Sequence, residues 1–250
     1  MLDGDSDNST PILLPGVDML NHDVTTKVTW NTSQHTDEGT ISVILEQAVE
    51  SGLQVFNNYG PHSNEVFLLG YGFLPSKEQQ LGDVVALKAA TSPQTSSIVK
   101  PILQKLGLNH DLFFVGRDGV LPEPLLKRMR VTLIVDWTLQ DQDEQGFDLP
   151  EFEDDEDSEF VGWDVEIEMM SMFQALLMRK LNNVENVPDR IEGLIRPEVE
   201  EMISQYRQGQ RYILVKSIEW CKSQLSDVLE RASADGFDTS EFDEEGEENE

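Results

Sequence analysis

Three short stretches hold the residues best suited to chemistry: Asp18-Met-Leu-Asn21-His22, Gln54-Val-Phe-Asn-Asn-Tyr59-Gly60, and Ser63-Asn64 running on to Tyr71-Gly72-Phe73. A tyrosine hydroxyl can orient an amine by hydrogen bonding, and its ring favours a nearby positive charge. Tyr59-Gly60 follows two asparagines, which makes that segment a loop, the setting in which backbone approaches a ligand closely. Each stretch alone has a plainer reading. Asn is a natural turn residue, Tyr before Gly is a packed aromatic at a turn, and Tyr-Gly-Phe is core aromatic around a bend. Metal chemistry is not expected. The four histidines, at 22, 35, 62 and 110, are scattered, and Cys221 is the single cysteine, so no cluster has zinc-ligand spacing.

Taken in order and at this spacing, the stretches DMLNH, QVFNNYG, SN and LLGYGF resemble the second half of the SET-domain signature. Their form is similar to the Rubisco large-subunit methyltransferase and fungal ribosomal lysine methyltransferase type, in which a helical substrate-binding domain follows the SET domain. The stretches Asp111 to Arg130 and Arg196 to Leu214 also resemble that helical domain. The likeness covers roughly residues 11–230 and begins partway through the SET signature, so the chain is read as the C-terminal part of such a protein. It implies an S-adenosyl-L-methionine-dependent protein-lysine N-methyltransferase acting on a non-histone protein, with ribosomal proteins as one candidate class. Asn21 and His22 would contact the cofactor, the His largely through its backbone. Tyr59 would be the catalytic residue beside the methyl group and the target nitrogen, Tyr71 would line the substrate channel, and Phe73 would pack on the adenine ring. The alternative reading is a non-catalytic module that binds a basic protein.

The elements that must position these residues change character along the chain. Gly39 to Leu45 is rich in β-branched residues and reads as a strand, with Leu53 to Phe56 as its partner across the Glu50-Ser51-Gly52 turn. Ser63 to Leu69 reads as a short helix capped by Ser63. Beyond Pro75, helical spacing runs through Leu81–Ala90, Thr95–Leu106, Pro122–Leu139, Glu166–Leu181 and Pro197–Leu229. Gly209 inside the last segment costs about 1 kcal/mol relative to Ala without breaking it. The expected class is α+β: a truncated SET fold of short strands and a knot-like loop, then an all-helical domain. The boundaries are a disordered start at 1–10, the SET half at 11–75, the helical domain at 80–230 with an acidic disordered loop at about 140–160, and an acidic disordered tail at 231–250. On Glu166–Leu181, Met169, Met170, Met172, Phe173 and Met178 read as core packing, with a pliable binding face as the other reading.

Charge limits the partners. The 250 residues carry a formal charge of -30. Asp136–Glu168 holds 15 acidic residues and Asp235–Glu250 holds 9, with no basic residue in either. The remaining 24 acids face 18 basic residues, a balance of -6. A nucleic-acid backbone needs clustered cations, so no direct nucleic-acid partner is expected; a basic protein is compatible. No apolar run reaches 18 residues and the acidic start is no signal peptide, so no membrane partner is expected. One cysteine fits a reducing compartment, the cytoplasm or the nucleus.

Overall fold

The computed structural model describes residues 13–33, 40–89, 91–140, 160–187, 196–240 and 242. The expected disordered start, most of the acidic loop and the end of the acidic tail lie outside the described residues. The chain divides into two compact units, 1–81 and 82–250.

The first unit is built of short pieces. Strand β1 (Asn21–His22) runs parallel to β4 (Phe56–Asn57), with Asn21 opposite Phe56 and His22 opposite Asn57. Between them in sequence, β2 (Val28–Ser33) pairs antiparallel with β3 (Thr40–Leu45). The expected strand at 39–45 is therefore present from Thr40, but its partner is β2 and not Leu53–Phe56. Val28-Thr-Trp-Asn alternates apolar and polar residues, a period of two suited to a strand. Helix α1 (Asn64–Val66) starts at Ser63, whose hydroxyl accepts from the Val66 N–H at 3.3 Å. It passes directly into a wider π-type turn over Phe67–Tyr71.

The second unit is mainly helical: α2 (Pro93–Lys105), α3 (Glu123–Gln140), α4 (Trp163–Glu185) and α5 (Pro197–Ala234). It also contains one antiparallel strand pair, β5 (Val85–Lys88) with β6 (Leu112–Val115). The helix expected over Leu81–Ala90 is thus a strand at its centre. Val85 and Leu87 are buried and register with buried Val115 and Phe113, while Lys88 and Phe114 point outward. The alternation is of period two, and β-branched valine suits it. The last helix continues five residues past Leu229, so the residues expected to begin a disordered tail at 231 are helical as far as Ala234.

Helix α3 sits between two apolar clusters. Val131 and Val135 pack with Val99 and Leu103 of α2. Leu125, Leu126 and Leu133 join the larger core with Met169, Phe173 and Leu177 of α4 and Ile213 and Leu214 of α5. Burying each such side chain contributes about 1.5–3 kcal/mol, which explains why a helix of modest amphipathicity forms here. Of the five Met and Phe positions on α4, Met169, Met170 and Phe173 are core, whereas Met172 and Met178 are exposed.

Because α3 is enclosed, its charges need partners. Arg130 is buried and donates through Nε and Nη2 to both oxygens of buried Glu166 on α4, at 2.6 and 3.0 Å, and through Nη1 to Glu123 at 3.1 Å. The planar guanidinium matches a carboxylate at two points. Glu166→Ala would remove the two-point partner of a buried cation, leaving it only the exposed Glu123, and is expected to lower the unfolding free energy by about 3 kcal/mol, measured by urea titration. Gly119 is a second constraint: its φ is +75°, and a Cβ there would lie 2.5 Å from the Lys216 carbonyl carbon on α5. Gly119→Ala is expected to cost about 2 kcal/mol or more, combining left-handed strain with overpacking, read by the same titration.

Candidate functional site

The site grows from the β1–β4 crossing in the first unit. Four hydrogen bonds hold segments far apart in sequence. The Tyr59 N–H donates to His22 Nδ1 at 3.1 Å, and the Tyr59 hydroxyl donates to the Leu20 carbonyl at 2.6 Å. The Asn58 amide nitrogen donates to the Val24 and Thr26 carbonyls at 3.1 and 3.2 Å. Asn58 Oδ1 also accepts from the Gly60 N–H at 3.0 Å, which turns the chain at Gly60, where φ is +98°. Buried Asn57 caps the adjacent amide, and its carbonyl accepts from Asp23 N–H at 2.9 Å.

Around this crossing, six rings form one cluster. Tyr59 stacks on Tyr71 with centroids 4.8 Å apart and planes at 22°, and on His22 at 5.2 Å. Phe67 is nearly fully buried and touches His22 at 4.9 Å, Phe73 at 5.3 Å, Tyr71 at 5.8 Å and His62 at 5.8 Å. Offset and edge-on contacts of this kind are worth about 0.5–1.5 kcal/mol each beyond burial.

The π-type turn explains how three rings so close in sequence converge. The Phe67 carbonyl accepts from the Gly72 N–H and, at 3.4 Å, from the Phe73 N–H. Gly72 then adopts the left-handed conformation, φ 76° and ψ 20°. A regular helix would carry residue 73 past the cluster; the wide turn and the glycine bring it back. Beneath it, buried Asn64 donates to Gln80 Oε1 at 3.0 Å, and Gln80 donates to the Pro75 carbonyl at 2.8 Å.

The residues expected from sequence are thus distributed unevenly. His22, Tyr59, Tyr71 and Phe73 share the ring cluster. Asn21 reaches the crossing by backbone pairing with Phe56, and its side chain is exposed. Sequence reasoning missed Phe67 and His62 as ring partners and Asn58 as the clamp. Phe67 lies four residues before Tyr71, a helical spacing that could have flagged it. Among the described residues, no group of three or more His, Cys, Asp or Glu could hold a metal.

Burial favours the neutral forms of His22 and Tyr59. Burial lowers the His22 pKa below 6.5, against an opposing pull from Asp23 and with His62 adding to the depression. Neutral His22 can accept at Nδ1, which places its proton on Nε2. Burial, with Tyr71 and Asp18 nearby, raises the Tyr59 pKa, so its hydroxyl stays a donor at neutral pH.

No protein-family model matches the chain. An 86-residue stretch, 34% of the chain, is 48% identical to ribosomal lysine N-methyltransferase set10 of Schizosaccharomyces pombe and covers 15% of that protein. Over 226 residues, 85% of the chain, it is 28% identical to ribosomal lysine N-methyltransferase 1 of Saccharomyces cerevisiae and covers 37% of it. The structure of Rubisco LSMT bound to sinefungin and monomethyllysine matches 86% of this chain and 51% of that one, with TM-score 0.61 and 18% identity. The LSMT SET-domain structure bound to lysine and AdoHcy matches at TM-score 0.59, 18% identity, 89% of this chain and 52% of that one. The chain therefore has the LSMT fold and is a sequence relative of the two yeast enzymes, and it spans at most about half the length of any of them.

The histidine yields a pH test. In the unfolded chain His22 titrates near 6.5, and in the fold it titrates lower. Below about 6.5 the unfolded state binds the extra proton first, so stability is full above that pH and falls as pH drops through it. Unfolding of the first unit is expected to become easier between pH 7.5 and 5.5. His22→Asn, whose Oδ1 can accept from Tyr59 without titrating, is expected to flatten that slope.

Proposed function

We propose that this chain carries the catalytic tyrosine face of an S-adenosylmethionine-dependent protein-lysine N-methyltransferase. The observation that carries the reading is the His22–Tyr59 clasp at the β1–β4 crossing, with Tyr71 stacked on Tyr59. Fold and sequence likeness support it.

The residues present fit the cofactor. The Tyr59 hydroxyl oxygen suits a positively charged sulfonium and the Phe73 ring an adenine, and the Asn21-His22 backbone lies beside them in β1. Asn21, His22, Tyr59 and Phe73 would hold it. When bound, the cofactor supplies an electrophilic methyl group on a positively charged sulfur. The chain's own part is to present a neutral amine in line with that group. The Tyr59–Tyr71 stack offers an apolar wall that strips water from a lysine side chain and lowers its pKa. Tyr59 cannot swing, because its hydroxyl is tied to Leu20 and its amide to His22. A fixed wall of this kind contributes through orientation of the reacting nitrogen.

The substrate we infer is a lysine on a non-histone protein, ribosomal proteins being the first class to test because both yeast relatives are ribosomal lysine N-methyltransferases. We place the protein in the cytoplasm or nucleus. Cys221 is the single cysteine, so this sequence can form no disulfide within itself, which suits a reducing compartment.

Incubation with methyl-labelled S-adenosylmethionine and purified ribosomal proteins tests the activity. Label on lysine is expected, reduced about a hundredfold in Tyr59→Phe, which frees the Leu20 carbonyl and unfastens the ring. Labelling no greater than that of Tyr59→Phe would overturn catalysis by this chain.

A further inference from the structure

We propose that the second unit contains a binding site for a phosphate monoester, in a cavity of about 590 Å³ between β5, α2, the Asn109–Asp111 segment and α3. Arg128 is the central observation. It is 6% exposed, yet no carboxylate bonds to it; its Nη1 donates to the Leu108 and His110 carbonyls at 2.9 and 3.1 Å. Nε is buried without a partner among the described residues. Two residues along the same helix, Arg130 shows how this fold neutralises a buried guanidinium, with a two-point bond to Glu166. Arg128 instead lines the cavity.

The surroundings are cationic in a strongly acidic chain. Lys88 and Lys100 line the same cavity, and Asp111 is its one acidic wall residue. Lys88 lies 3.7 Å from Asp111, while Lys100 has no ion-pair partner among the described residues. Three cations against one carboxylate leave two positive charges, which a phosphate monoester at nearly two negative charges matches. Ser96 and Gln104 add neutral donors to the wall. The volume lies in the range of small-ligand sites. Burial depresses the Arg128 pKa, with Asp111 acting against it; an oxyanion in the cavity would add to the counter-charge that Asp111 alone supplies.

The test is calorimetric titration of the full chain with inorganic phosphate, glycerol 3-phosphate and succinate at constant ionic strength. Arg128 variants risk misfolding because two carbonyls would lose their donor, so Lys100→Gln and the Lys88→Gln/Lys100→Gln pair are the controls. Saturable binding of a phosphate probe is expected, weakened about tenfold by the single change and further by the pair. A tighter ester than inorganic phosphate supports the monoester site; an ester bound no more tightly than phosphate overturns it in favour of free phosphate. No saturable binding, affinity unchanged in the double variant, or succinate bound as tightly as phosphate would overturn the proposal.

Discussion

The parallel pairing of two residues, Asn21–His22, with two others, Phe56–Asn57, is the constraint on which the first unit depends. Such a short parallel pair is weak by itself, since it offers few ladder bonds against the entropy of closing a long loop. It holds because side chains reinforce it from both strands. Asn58 grips two carbonyls beyond β1, and Tyr59 grips His22 with its amide and Leu20 with its hydroxyl. The partners in that last bond are 39 residues apart in sequence. Once the crossing is made, the ring cluster has no freedom left: Phe67 seals it from below and Gly72 turns Phe73 back into it.

The same crossing makes the chemistry and the stability of the unit one problem. A tyrosine that must present a fixed face cannot also be free to rotate. Here both its polar ends are tied to backbone or imidazole, and its ring is stacked. A neutral His22 is needed for the tie, and burial keeps it neutral. The second unit solves a different problem. A central helix with apolar contacts on two sides carries two arginines, and each needs its charge answered. Arg130 finds Glu166 on the neighbouring helix. Arg128 finds two carbonyls and an open polar cavity. The difference between the two arginines separates a packing device from a place where a ligand belongs.

Local pattern alone determined much of this protein. The order and spacing of Asn21-His22, Tyr59-Gly60 and Tyr71-Gly72-Phe73 were legible, as were the Ser63 cap and the helices α2 to α5, because capping and 3.6-residue periodicity are local properties. What only the tertiary structure decided were pairings and exceptions. β3 found its partner in a segment that composition marks as polar, since strand pairing is a long-range choice. Leu81–Ala90 became a strand at its centre because β6 was there to receive Val85 and Leu87. Phe67 became the hub of the site through a π-type turn, a backbone irregularity that no residue type announces. Asn58, which reads as a turn residue, became the clamp because Val24 and Thr26 arrive beside it only after the chain has folded.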